Sequence, residues 1–301
     1  MVLKTMLNNY RYFIEKYIKE QRKMLRIIAD TSTLYSSAQA NESGFDVAPL
    51  SVTIAGNTYK EFDEITTQKF VDIIKQGHLP TSSQPSIGDV VALFEKYPDD
   101  EILNISMAKG LSGTYDSAVA ASGLCRHSSK ITVINSRTLC GPHRYLVEKA
   151  AALAKAGHTK TEIVEKVQTA MDTAKSYLMP ADFDYLRRGG RLSPLVSYVG
   201  KAAGLVPIMT QSEDGTQLVK HGIQLGFKNA ISHLGKKFAE SKVGKGWRVY
   251  ITHADAEHLA QQAKEILLKS IPDATYEIDP LIPAFVTQGG PGCVAVQIIK
   301  E

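Results

Sequence analysis

Two α/β domains in tandem, the first built on a parallel sheet, are what this sequence predicts, on three observations. From Leu25 to Ala170, short apolar runs of strand character alternate with amphipathic stretches of helical period, the order that makes a parallel sheet flanked by helices. From Ser176 onward, strand and helix signals resume around a hairpin signal at Glu213-Asp214-Gly215. A chain of 301 residues, 44% of them hydrophobic, is long enough for two cores in domains of roughly 120 to 150 residues each. The predicted boundaries are a basic amphipathic segment over 1–24, an N-terminal domain over 25–175 and a C-terminal domain over 176–301.

In the leading segment, Tyr10, Phe13, Ile14, Tyr17 and Ile18 fall on one helical face with Arg11, Glu15, Lys16 and Lys19 off it. Such a helix suits packing on the body, docking on a partner, or transient contact with an anionic membrane surface. The net charge of +4 comes from this end, where six basic residues face two acidic ones and leave the remainder neutral. A neutral body lacks the basic face that nucleic acid requires.

Leu25 to Ala29 reads as a strand ending in the polar cluster Asp30-Thr31-Ser32-Thr33, where Asp30 suits a cap. Val47 to Ile54 and Thr58-Tyr59, around Gly56-Asn57, suggest a strand pair. Thr66 starts a helix with Phe70, Ile73 and Ile74 on one face. Thr81 to Ser86 then packs four hydroxyls into six residues; Ser86 suffices to cap the next helix, so the surplus marks a candidate ligand loop. Ile102 to Ile105 reads as a buried strand, after which Gly110 and Gly113 allow tight turning into a helix from Thr114. A strand-to-helix junction of this kind favours anions, because free backbone N–H groups and the positive end of the helix dipole meet there. Ser112 and Thr114 fit either a helix cap or a ligand site. Ile131 to Ile134, then helices over Tyr145–Lys155 and Thr159–Ala170, complete the first half.

The second half opens with a strand at Ser176–Met179 and a run in which Arg187, Arg188 and Arg191 surround Gly189 and Gly190. Guanidinium groups beside glycine suit an anion clamp, or else a solvated turn. A helix from Ser193-Pro194 to Gly204, the hairpin Leu205–Thr210 and Gln217–Ile223, a helix over Asn229–Glu240, a strand ending at His253, a helix over Glu257–Lys269 and a strand over Thr275–Ile278 follow. A Gln288-Gly289-Gly290-Pro291-Gly292 loop, with its backbone N–H groups expected to be open, precedes the last strand.

The three cysteines are scattered, which predicts reduced thiols, and no window offers the roughly 18 apolar residues of a membrane span. Location in the cytoplasm is the expectation. The eight histidines form no metal-binding spacing, and neither a dinucleotide fingerprint nor a phosphate-binding P-loop is present, so no metal or cofactor is expected. A hydrolase or transferase using Ser112, with His253 as base, is the alternative from another class.

Asp30-Thr31-Ser32, Ser82-Ser83-Gln84-Pro85-Ser86, Leu111-Ser112-Gly113-Thr114-Tyr115, Leu186 to Ser193 and Gly290-Pro291-Gly292 together resemble the DegV family of bacterial fatty-acid-binding proteins. The resemblance covers about residues 25 to 301. It implies a two-domain DegV-like fold, a non-enzymatic carrier that binds a long-chain fatty acid between its domains and presents the acyl carboxylate to a separate ATP-dependent fatty-acid kinase subunit. By motif position the carboxylate would meet Ser82, Ser83, Ser112, Gly113, Arg191 and Gln288, with Asp30, Thr114 and Lys109 as a second tier. Three departures stand out: Ser82 where the family usually has threonine, Gln288 where it usually has histidine, and Ala108-Lys109 where it often has paired serines. Burying about 14 methylenes at ~0.8 kcal/mol each gives roughly 11 kcal/mol, against ~1.5 to 3 for one hydrogen bond to a charged group. The tail should therefore dominate affinity, and the polar residues orientation.

Overall fold

The computed structural model describes residues 24–193 and 204–301. The segment expected to be amphipathic over 1–24 and the helix expected from Pro194 to Gly204 lie outside the described residues, apart from Met24 and Gly204 themselves. In chain order, β1 (Leu25–Asp30) enters a 3₁₀ turn at Thr31–Thr33 and is followed by α1 (Ser37–Glu42), β2 (Asp46–Ala48), β3 (Ser51–Ile54), β4 (Asn57–Lys60), α2 (Thr67–Lys75), β5 (Thr81–Ser83) and α3 (Ile87–Glu95). Then come β6 (Glu101–Ser106), α4 (Thr114–Leu124), β7 (Ile131–Asn135), α5 (Cys140–Lys155) and α6 (Lys160–Met171). The second half holds β8 (Lys175–Met179), α7 (Phe183–Gly189), β9 (Leu205–Gln211), β10 (Leu218–Leu225), α8 (Phe227–Glu240), β11 (Trp247–His253), α9 (Glu257–Ser270), β12 (Thr275–Pro280), α10 (Pro283–Gly289) and β13 (Val294–Lys300).

The first sheet is parallel throughout, in the order β2-β1-β6-β7. Successive residues of β1 point to opposite faces, and both faces are covered. Ile27 and Ala29 pack with Leu146, Val147 and Ala150 of α5, whereas Ile28 packs with Val90 and Phe94 of α3 and Ala118 and Ala121 of α4. Helix starts follow their sequence signals: Thr66 accepts from Lys69 N–H, Ser86 from Asp89 N–H, and Thr159 closes a capping box with Glu162.

The run Val47 to Ile54 divides in two. Pro49, with no N–H to give a ladder, separates β2 from β3, and Leu50 N–H goes to the Thr31 hydroxyl instead. Strand β3 turns away to join an antiparallel sheet of order β4-β3-β5. The hydroxyl-rich stretch read as a loop is therefore partly strand, with Ser82 opposite Val52 and Ser83 opposite Ser51.

The second sheet is mixed, in the order β10-β9-β8-β13-β11-β12, with β11 and β12 parallel and the other pairs antiparallel. One face carries α8 and α9 on Met179, Ile208, Val249, Ile251 and Val296. The other face looks back at the first half, and Tyr250 and Ile299 share a core with Leu146 and Ile163.

Helix α5 begins five residues before the expected Tyr145, and the added turn joins the two sheets. A Cβ on Gly141 would lie 2.0 Å from Cγ of Tyr250, so only glycine lets the helix approach β11 this closely. Gly141 N–H donates to Oε1 of Gln297, 3.3 Å away. Arg144, 7% exposed, holds both carboxylate oxygens of Asp279 at 3.1 and 3.0 Å and Glu277 at 2.5 Å. Replacing Arg144 with leucine leaves these two carboxylates on β12 without their shared cation, so Arg144→Leu is expected to lower stability by about 3 kcal/mol, read from urea unfolding at neutral pH.

Candidate functional site

Because alternate residues of a strand face opposite ways, Tyr177 and Met179 of β8 serve the helix-covered core, while Ser176 and Leu178 border a cavity on the inner face of the second sheet. The cavity is bounded by Met107, Leu111 and Leu139 from the first half and by Met209, Leu281 and Phe285 from the second. It encloses about 740 Å³ of space free of protein atoms, solvent at its mouth included. Gln297, buried in its wall, spends both amide hydrogens on Leu139 O and Ser176 Oγ.

Arg191 and Gln288 stand on the rim of this apolar space. Arg191 Nε donates to Leu111 O across the two halves at 3.1 Å, and its Nη1 donates to Gly189 O. Both acceptors are carbonyls; among the described residues no carboxylate pairs with the Arg191 guanidinium. Gln288, on α10, donates from Nε2 to Ser82 Oγ at 3.1 Å, and its Oε1 is buried without a partner. Gly189 makes room for that amide: a Cβ there would sit 2.0 Å from Gln288 Oε1. Neighbouring Arg187 pairs with Asp184, and Arg188 lies over the Tyr185 ring, so Arg191 alone of the three faces the cavity.

Ser82 and Ser83 are adjacent on a strand, so Ser82 meets α10 and Ser83, exposed, points the other way. Ser112 sits just before α4, whose N-cap is Gly113; its hydroxyl accepts from Thr114 N–H at 3.3 Å and bonds Thr114 Oγ1 at 2.8 Å. Gly113 has an ordinary negative φ of −72°, and its value is close approach, since a Cβ would lie 2.5 Å from Gln84 Oε1. Gly110 likewise allows contact with the β9–β10 turn, where a Cβ would be 2.2 Å from Thr216 Cα. The Lys109 ammonium pairs with Asp116 at 3.1 Å over the Tyr115 ring, away from the cavity lining.

Asp30 is buried and spent on backbone, accepting from Ser32 N–H and Met107 N–H at 3.0 Å each. Behind it, His143 Nε2–H donates to Ile105 O, so Nδ1 accepts the Ser32 hydroxyl at 2.6 Å. Burial holds this imidazole below its ordinary pKa. The Ser112–His253 pairing has no counterpart here: Ser112 is engaged by Thr114, and His253 Nδ1 accepts Ala256 N–H. The final glycine-rich segment also differs from an open loop. Thr287 and Gln288 are helical, Gly290 N–H bonds Val286 O and Gly292 N–H bonds Ala254 O, so those amides are occupied.

Glu61, Arg144 and Gln297 escaped the sequence reading. A lone glutamate after a strand, an arginine inside a helix and a glutamine in a terminal strand carry no local signal of their distant partners.

A family model described as an uncharacterised protein of the DegV family matches residues 24–301. A DegV domain-containing protein of Staphylococcus aureus is 26% identical over 278 residues, covering 91% of this chain and 98% of the relative. Among solved structures, DegV of Bacillus subtilis, described as a fatty acid binding protein, is 26% identical with a TM-score of 0.82, covering 93% of this chain and all of that one. A DegV lipid binding protein of Thermotoga maritima is also 26% identical, with a TM-score of 0.81, covering 92% and 98%.

The two close glycine contacts differ in what must yield. Gly189→Ala meets the end of a flexible side chain, so its crystal structure should show the Gln288 amide turned away from Ser82 with the fold intact. Gly110→Ala meets backbone, and hydrogen exchange should show residues 212–217 losing protection.

Proposed function

This chain belongs to the DegV family, and from that premise we propose that it binds a long-chain fatty acid in the cavity between its halves and presents the carboxylate to a separate ATP-dependent kinase. One observation carries the reading: an apolar cavity is rimmed by a guanidinium whose charge no described carboxylate balances. An apolar tail with one anionic end satisfies both features. The similar DegV of Bacillus subtilis is described as a fatty acid binding protein, which names the same class of molecule.

In this reading the carboxylate lies against Arg191, whose carbonyl contacts fix the plane of the guanidinium. The Gln288 amide and the Ser82 hydroxyl complete the head-group site, bordered by the Ser112-Gly113 corner that Leu111 ties to Arg191. Ser83 takes a place on the outward face, where a partner reaches it, and Thr114 supports Ser112. Asp30 acts indirectly, by holding the Met107 backbone at the cavity wall, and Lys109 contributes surface charge beside the same corner. Leu281, Phe285 and Met209 receive the tail. In this reading phosphorylation of the presented carboxylate is the partner's chemistry.

Gently purified protein, extracted with organic solvent and weighed by mass spectrometry, should yield one acyl chain per protein. No acyl chain, together with no binding of added fatty acids, would sink the proposal. Arg191→Gln should weaken fatty-acid binding by about tenfold or more while leaving the tail contacts, as expected for losing a charged hydrogen-bond partner.

A further inference from the structure

Glu61 follows β4 and is fully buried, yet its carboxylate holds together three segments distant in sequence. Oε1 accepts the Thr31 hydroxyl from the turn after β1, and that hydroxyl oxygen also accepts Leu50 N–H at 3.0 Å, at the point where the chain leaves the parallel sheet. Oε2 accepts Ala284 N–H at 3.1 Å. Pro283 has no N–H, so Ala284 presents the first amide of α10, and Gln288 lies one turn farther along the same helix. The carboxyl is thus the link between the first sheet and the helix that carries the head-group amide.

No cation answers it among the described residues. Asp30 stands behind the Thr31 turn, His143 faces that turn through Ser32, and the Cys140 thiol comes from α5. The charged side chains of α2, Lys69, Asp72 and Lys75, are exposed, with Lys75 on Asp255; Lys60 pairs with Asp89. Burial, with Asp30 acting in the same direction, pushes the Glu61 carboxyl up to about 7 against the pull of its two hydrogen bonds. Burial keeps His143 below its ordinary value and the Cys140 thiol well above its own.

We propose that Glu61 is a positioning residue for the fatty-acid head group, and that its gain or loss of a proton changes how α10 is held and so links lipid affinity to pH. The proposal rests on the lipid-carrier reading. A carboxylate arriving at Ser82 and Gln288 adds negative charge beside the helix that Glu61 holds, and Glu61 has no cation of its own among the described residues, which favours its protonated form. Reciprocity then requires that binding take up a proton and strengthen as pH falls. The sign for stability is the same. The folded-state value lies above the unfolded one, so the contribution of Glu61 is complete below its ordinary value near 4.5 and is lost as pH rises through about 7.

The test measures binding of cis-parinaric acid, by its fluorescence, to delipidated full-length protein and to Glu61→Gln, which keeps an acceptor for Ala284 N–H and, as the protonated carboxyl would, turns a donor toward the Thr31 hydroxyl. Wild-type affinity should fall about fivefold between about pH 6 and about pH 8, and the variant should show a flat profile. Calorimetry of the wild type in two buffers of different ionisation enthalpy should report proton uptake near pH 7, and decides the matter should Glu61→Gln fail to fold. Equal pH profiles in the two proteins, or no proton uptake by the wild type, overturns the role of Glu61. Failure of the probe to bind at any pH overturns the lipid reading instead.

Discussion

One turn of α5, Gly141 to Arg144, sets the spacing of the two sheets, and the cavity exists because of that spacing. His143 binds the helix to the first sheet through Ile105 O and the Ser32 hydroxyl. Gly141 brings it against Tyr250 and Gln297 of the second, and Arg144 anchors it to Asp279 and Glu277 on β12. These contacts are short-range and directional, so they fix a distance where apolar packing alone would allow sliding. Beside this turn, Cys140 and Leu139 are already cavity wall.

The strengths of these contacts differ from their importance to binding. The Arg144 guanidinium is nearly buried against two partly exposed carboxylates, and each carboxylate is answered, so the cluster serves stability. Arg191 is oriented by two carbonyls and answered by no described carboxylate, which makes it a poor contributor to stability and a good receptor for an anion. Proteins depart from local satisfaction of charge chiefly where a ligand completes it. Gln288 shows the same pattern in neutral form, with one end of its amide engaged by Ser82 and the other buried without a partner.

Much of the parallel half was legible, because apolar runs such as Ile102 to Ile105 and caps such as Ser86 and Thr159 are local signals that tertiary contacts reinforce. What escaped is long-range. Thr81 to Ser83 has the composition of a loop and becomes strand through pairing with β3, and α10 starts at Pro283 without a side-chain cap. Helix α5 also starts uncapped, after Leu139, which hid the turn that joins the sheets. For the site, the Arg191 and Gln288 motifs were legible as residue types. Their convergence on one rim, and the outward direction of Ser83 and Lys109, follow from strand alternation and from Asp116, which no single motif contains.

Gln288 also determines where a proton can act on this site. An amide does not titrate and a guanidinium does not lose its proton in proteins, so the rim itself offers no side chain that changes charge with pH. A response to pH from the protein's side must come from behind the first contacts. Glu61 has the necessary position, accepting the first amide of α10 one turn before Gln288, and the necessary chemistry, a carboxyl pushed by burial to about 7. His143 is near the same turn but is spent on Ile105 and Ser32, away from α10. The arrangement separates holding the head group, which needs constant charge, from adjusting the helix that holds it, which needs a charge that changes.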